Sequence, residues 1–173
     1  MLDLFTNTFP QLKYSDCLTS LTDSEFYIYD HETEKRCYLQ DDERGIKHFR
    51  VTNTSENAVH FLAIDKCLLM DDAKTQRCDC AVFNEHTLCL IEIKSTSSMT
   101  QRKKLRREAK DQLKATVTYL RQVLNLTTVI EAYVCLLAES DTRPLNRASL
   151  VEEEEEFDAM GVSLFHLNHK HFA

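Results

Sequence analysis

The sequence predicts an α/β protein built on a central mixed β-sheet flanked by helices. Three observations lead there: strand-like apolar segments recur between residues 49 and 94, one long helical period occupies 99–124, and a strand, a helix and a further strand follow. Such an alternation buries a sheet against helices around one core. At 173 residues, 43% of them hydrophobic, the chain is long enough for a single domain, 1–173, with a full core.

The first fifty residues give weak signals, and "SEFYIYD" reads as a short strand or the end of a helix. "FRVT" and "VHFLAID" then read as strands on either side of the polar turn "NTSEN", a hairpin pattern. After "CLLM", the cluster "DDAKTQ" reads as a turn, "CDCAVF" as a strand, "NEH" as a second turn and "TLCLIEIK" as the next strand. Leu105, Ala109, Leu113, Thr116, Leu120 and Leu124 recur every three or four residues, which places them on one face of a helix. Ser98, with Gln101 three residues on, fits a capping box at its start. The strand "VIEAYVCLLAE", a loop holding Pro144, an acidic helix over about 149–159 capped by Gly161, and the strand "VSLFHL" complete the order.

Composition removes several classes of function. Only Gly45 and Gly161 occur, so neither a glycine-rich phosphate loop nor a dinucleotide fingerprint can be built. No apolar run is long enough to cross a bilayer, and "MLDLFTNTFP" lacks the basic-then-apolar order of a signal peptide. The expectation is a soluble cytoplasmic protein without membrane contact, its seven cysteines mostly reduced and buried as small hydrophobes. The net charge of -7 argues against indiscriminate coating of nucleic acid. Six of the acids lie in "VEEEEEFD", however, and without them the balance is -1, which leaves room for a local basic surface.

Charge is out of place in the stretch "RCDCAVFNEHTLCLIEIK". Side chains alternate across a strand, so Cys78 and Cys80 share one face and Asp79 projects from the other, while Glu92 and Lys94 share a face opposite Ile91 and Ile93. As hairpin neighbours, the two strands bring Asp79 beside Glu92. Adjacent carboxylates repel unless a cation sits between them, and Mg²⁺ suits such oxygen ligands. Lys94 is placed to contact a water or a phosphate and to stabilise developing negative charge. The plain alternative is a buried ion pair or a set of edge-strand charges facing water.

An Asp, a spacer of twelve residues, and Glu92-Ile93-Lys94 on the following strand resemble the PD-(D/E)XK nuclease superfamily, the restriction-endonuclease-like fold. The resemblance covers about residues 58–140. It includes Gln112, a polar residue on the inward stripe of the following helix, where the family often has one. The family's proline is absent here, Arg77-Cys78 preceding the Asp. Acid-x-Lys triplets also occur at Asp72-Ala73-Lys74 and Glu108-Ala109-Lys110, but only the middle one lies in an apolar strand. The resemblance implies a metal-dependent nuclease, with DNA as the expected substrate. Asp79, Glu92 and the Ile93 carbonyl would bind Mg²⁺, with Mn²⁺ able to substitute. Lys94 would act on the water or the transition state, and Gln112 would order the site. For the family's upstream acid, Asp65 is the first candidate, Glu56 a weaker one, and Glu25 and Glu43 stay open.

The run "QRKKLRREAK" opens the long helix beside this cluster, and Lys103, Lys104, Arg106, Arg107 and Lys110 are candidates for contact with a nucleic-acid backbone. A solvated helix face is the simpler reading of such a run. The glutamates 152–156 read most simply as an exposed helix start, or as a surface for a basic partner. Zinc is a metal alternative, from Cys78, Cys80, His86 and Cys89 or from His166, His169 and His171. A Cys-x-Cys strand, however, turns both sulfurs away from Asp79, and paired Cys-x2-Cys knuckles are missing. The alternative function is a nuclease-like binding or structural subunit of a larger nucleic-acid-processing or defence complex. Its short length and acidic charge would then be offset by a protein partner or by homo-oligomerisation.

Overall fold

The computed structural model describes residues 1–70, 76–96, 98–137 and 147–173. In chain order the elements are α1 (Leu2–Thr8), a 3-10 turn (Pro10–Lys13), β1 (Leu18–Leu21), β2 (Glu25–His31), β3 (Arg36–Gln40), β4 (Phe49–Asn53) and β5 (Val59–Ala63). They continue with β6 (Cys80–Phe83), β7 (Thr87–Ser95), α2 (Met99–Val123), β8 (Val129–Leu137), α3 (Arg147–Asp158), β9 (Ser163–Phe165) and β10 (His169–Phe172). The turn expected at "DDAKTQ", apart from Gln76, and the Pro144 loop lie outside the described residues.

Two mixed sheets result. The larger runs β1-β5-β6-β7-β8-β9, antiparallel from β1 to β7 and parallel from β7 to β9. The smaller runs β10-β4-β2-β3, with only the β10–β4 pair parallel. Helix α2 packs over β7 and β8 through Ala109, Leu113, Val117 and Leu120, all fully buried. Instead of a second helical layer, the opposite face of the larger sheet meets the smaller sheet. Phe49 of β4 sits edge-on to Tyr133 of β8 with ring centroids 5.4 Å apart. Lys170 of β10 holds both oxygens of Glu131 on β8, at 2.7 and 2.9 Å. Sandwiching explains why β6 and β7 read as near-continuous apolar runs, since both their faces are buried.

The segments flanking "NTSEN" are strands, but they do not form the expected hairpin. β4 belongs to the smaller sheet and β5 to the larger. Asn53 is buried and its side chain organises the change of sheet, donating to the Asn57 carbonyl (2.9 Å) and accepting from the Ser55 backbone N–H (3.1 Å). The expected capping box is also absent. Ser98 is the N-cap of α2, but its own N–H is taken by Thr96 Oγ1 at 3.0 Å and its side chain caps nothing. Gly161 does stop the acidic helix: with φ +62 it lets Val162 N–H reach back to the Phe157 carbonyl at 3.1 Å. Cys37, Cys78, Cys80, Cys89 and Cys135 are free and buried, as expected of most of the cysteines, whereas Cys17 and Cys67 are joined in a disulfide. Among the described residues no helix is long and apolar enough to cross a membrane.

The two charge runs meet. Glu153 is buried, which corrects the reading of 152–156 as a uniformly exposed start, and its Oε1 pairs with Arg106 (2.9 Å) and Lys110 (3.3 Å) of α2. Glu156 pairs with Lys114 at 2.5 Å, and His166 Nε2 lies 3.2 Å from Glu153 Oε2. A buried carboxylate flanked by cations is costly to delete, because the cations around it lose the charge they share. Glu153→Ala should therefore lower stability by about 3–5 kcal/mol in urea unfolding. Exposed Glu154→Ala, one residue on, should stay within about 0.5 kcal/mol of the parent.

Candidate active site

The antiparallel ladder of β6 and β7 runs from Phe83↔Leu88 to Cys80↔Ile91 and stops there. The next two backbone donors are satisfied by carboxylates. Ile93 N–H donates to Asp79 Oδ2 at 2.7 Å, and Asp79 N–H donates to Glu92 Oε2 at 3.1 Å. The two acids thus close the end of the β6–β7 ladder. Asp79 is further fixed because its carbonyl accepts from the N–H groups of Ile64 (3.0 Å) and Asp65 (3.1 Å), just past β5. Lys94 completes the group, its Nζ lying 2.5 Å from Glu92 Oε1. The expected juxtaposition of Asp79, Glu92 and Lys94 is present, and Glu92 is fully buried.

Helix α2 holds the approach to Asp79. Gln112 Nε2 donates to the Arg77 carbonyl at 2.9 Å, and Thr116 Oγ1 accepts from Cys78 N–H at 2.7 Å. These two residues, one helical turn apart, are the polar members of an otherwise apolar stripe. Their place there follows from the need to satisfy backbone groups at the start of the strand.

Burial dominates the electrostatics. It pushes the Asp79 carboxyl up to about 7, despite the Ile93 N–H and the Lys94 ammonium, and Asp30 and Asp65 push the same way. Burial and then the Asp79 charge raise Glu92 well above the ordinary glutamate range. Burial alone would lower Lys94, but the attached Glu92 carboxylate outweighs it and holds the ammonium protonated.

A cleft of about 940 Å³ opens over Asp79, Ile93, Lys94 and Ser95, between α2 and the tip of the β2–β3 hairpin. Asp65 and Gln112 line it, as do Gln76, Arg77 and Glu108. Asp65 Oδ1 is held by Arg77 Nε at 2.5 Å. Of the other upstream acids, Glu56 is exposed, Glu25 pairs with Arg50, and Glu43 lies with Glu25 beside a separate pocket, so none reaches the cleft. The smaller sheet supplies a wall that the sequence did not foretell: Asp30, Glu32, Thr33, Lys35 and His48. The Asp30 N–H donates to His48 Nδ1 at 3.0 Å, and burial lowers the His48 pKa, so its ring is neutral with the proton on Nε2. Lys35 (φ 55) and Lys66 (φ 57), the two non-glycine residues in the left-handed region among the described residues, both border this cleft. Such backbone is uncommon for lysine and tends to cluster at functional sites.

The basic run divides. Arg106 and Lys110 turn inward to Glu153, whereas Lys103, Lys104 and Arg107 are exposed, Lys104 pairing loosely with Glu108 at 3.6 Å. Cys78, Cys80 and Cys89 are buried while His86 is exposed, and Cys89 Sγ donates to Glu131 Oε2 at 3.3 Å. Among the described residues one trio of ligating side chains lies within 4.8 Å, Asp16 with Cys17 and Cys67, and its two sulfurs are bonded to each other. Comparison of the chain with protein-family models, with curated proteins and with solved structures gave no match.

Thr116→Val removes the acceptor of the Cys78 N–H and should cost about 1–3 kcal/mol in the unfolding midpoint. Thr118→Val, on the exposed side of the same helix, should change stability by less than about 0.5 kcal/mol.

Proposed function

We propose that the chain is a metal-dependent phosphodiester hydrolase of the PD-(D/E)XK type, with a restriction-endonuclease-like core, and that its substrate is DNA. The observation that carries this reading is the interlocked pair of Asp79 and Glu92, with Lys94 on Glu92, at the end of a strand ladder that opens into a large cleft. The reading is supported by an acid directly before one strand, an acid-x-Lys on the next strand and a helix whose inward glutamine binds the backbone beside the first acid.

The donor set suits a hard divalent cation. Two buried carboxyl groups share one ammonium, and burial makes it costly to hold both as carboxylates, a cost that a divalent cation between them would offset. A strand residue sends its N–H and C=O to the same side. The Ile93 carbonyl therefore faces the gap beyond β6 along with the Asp79 carboxylate. Asp79, Glu92 and the Ile93 carbonyl would hold Mg²⁺ or Mn²⁺, with Asp65 as the upstream acid. When bound, the cation supplies Lewis acidity and lowers the pKa of water. Lys94, kept as an ammonium by Glu92, stabilises the charge that develops on the phosphate as its bond to the leaving sugar oxygen breaks. Gln112 is a positioning residue, acting through the Arg77 carbonyl on the backbone that carries Asp79. Phosphates of the bound strand would meet Lys103, Lys104 and Arg107, while Arg106 and Lys110 serve the contact with α3.

A second reading, a nuclease-like binding or structural subunit within a larger complex, is favoured by one observation: Glu92 is fully buried and already ion-paired with Lys94. Cleavage assays decide between the two. In a panel of DNA and RNA substrates, DNA should be cut in Mg²⁺ or Mn²⁺ and left intact in chelator, and Lys94→Ala should abolish the cut. Mg²⁺ should also raise the melting temperature of the parent and not of Asp79→Asn. A cation-induced shift without any cleavage would select the subunit reading. Replacing Lys103 and Arg107 together with alanine should weaken binding across sequences and flatten the log–log salt slope by about 2. A double variant with an unchanged slope would move the phosphate path elsewhere.

A further inference from the structure

The outer face of the smaller sheet carries a second surface. Along β2, Phe26 and Ile28 point inward and are buried, Asp30 lines the cleft, and Tyr27, Tyr29 and His31 stand on the opposite side. The register with β3 sets Tyr29 across from Tyr38 and His31 across from Arg36. Three rings thereby gather on one half-buried face. Their centroids are 5.8 Å (Tyr29–Tyr38), 6.2 Å (Tyr29–His31) and 6.1 Å (His31–Tyr38) apart.

Cations accompany the rings. The Arg36 guanidinium lies 4.8 Å over the Tyr38 ring, and Lys47 Nζ lies 4.2 Å over Tyr27. Arg50 adjoins Tyr27 on β4. Arg50 also pairs with Glu25, at 53% and 35% exposure, a surface pair worth little that yields readily to a polyanion, whereas Arg36, 16% exposed, is held by Asp16. Glu34 accepts from the Tyr38 hydroxyl on the same face. Aromatic faces set among exchangeable cations match the chemistry of unpaired bases joined by phosphates. A duplex offers such rings nothing, because its base faces are already stacked on one another.

The same hairpin is also a wall of the cleft. Glu32, Thr33 and Lys35, in the turn directly after His31, line the space above Asp79 and Lys94. A strand stacked on Tyr29, His31 and Tyr38 therefore has only the hairpin tip to pass before its backbone reaches the acids.

We propose that the outer face of the smaller sheet binds single-stranded nucleic acid by base stacking and delivers it to the cleft. The delivery rests on the nuclease reading, whereas the binding does not. The test uses the full chain in chelator, so that binding is read without turnover. A dye-labelled oligo-dT strand and a hairpin duplex serve as probes in fluorescence anisotropy. Oligo-dT should bind more tightly than the duplex. Tyr29→Leu with Tyr38→Leu should weaken oligo-dT binding by about a hundredfold, roughly tenfold per ring. Tyr29→Phe with Tyr38→Phe, which keeps the rings, should bind within about twofold of the parent, and neither pair should alter duplex binding.

The chain has no tryptophan and six tyrosines, so tyrosine emission of the parent protein gives a second readout that needs no variant. Oligo-dT should quench it and the duplex should not. Unchanged oligo-dT affinity in a folded leucine pair, or no quenching in the parent, overturns the proposal. The two readings fail separately. Stacking-dependent binding without metal-dependent cleavage leaves the platform standing and removes the nuclease. Metal-dependent cleavage together with unchanged oligo-dT affinity in the leucine pair keeps the nuclease and removes the platform.

Discussion

The end of the β6–β7 ladder is the constraint on which the site depends. Two backbone N–H groups that would otherwise meet carbonyls meet the carboxylates of Asp79 and Glu92. An unpaired buried donor and an unpaired buried acid are each expensive, and here each resolves the other. The exchange fixes both acids to within a hydrogen bond of the opposite strand. Their separation is thus set by the sheet and not by side-chain flexibility. Preorganisation of that kind is what a charge-handling site requires. Thr116 and Gln112 extend the same logic into α2, since the two residues before Asp79 have no ladder partner and borrow one from the helix.

The smaller sheet turns this knot of charges into a cleft. It sits against the face of the larger sheet that carries Tyr133 and Cys135, and its β2–β3 turn overhangs Asp79. Asp30 is itself raised by burial, and its charge adds to those of Asp65 and Asp79. Facing them are Lys35, Lys66, Arg77 and Lys94. The cleft is therefore a patchwork of both signs, unlike the uniformly basic grooves that bind nucleic acid without discrimination. Contact with a polyanion would depend on where each phosphate falls.

Much of the site was legible because it lies in adjacent segments. The alternation in "CDCAVF" and "TLCLIEIK" and the short turn between them bring Asp79 to Glu92 without any knowledge of the rest. Gln112 stood out because a helix stripe of Leu105, Ala109, Leu113 and Leu120 had no local reason to include it. What could not be read was long-range. Nothing within "SEFYIYD" says that Asp30 will face residue 79, since that depends on two sheets packing face to face. The polar turn after β4 has hairpin chemistry, and only the long-range pairing of β4 with β2 and β10, and of β5 with β1 and β6, reveals that the chain leaves for another sheet. The basic and acidic runs each looked solvated because their partners lie more than forty residues apart in the chain.

The parallel pairing of β10 with β4 bears on how the molecule is made. Thr52 Oγ1 meets His171 Nδ1 at 2.9 Å across 119 residues of sequence. Every segment of the larger sheet is translated before β10, so that sheet can assemble while β4 still has an open edge. Closing a loop of that length is entropically slow, and contacts so far apart tend to form late. A ribosome would thus display an incomplete smaller sheet, with the N–H and C=O groups of Arg50 and Thr52 exposed on one side, until residues 169–172 emerge. During that interval the edge of β4 is the part of the chain most open to pairing with another molecule.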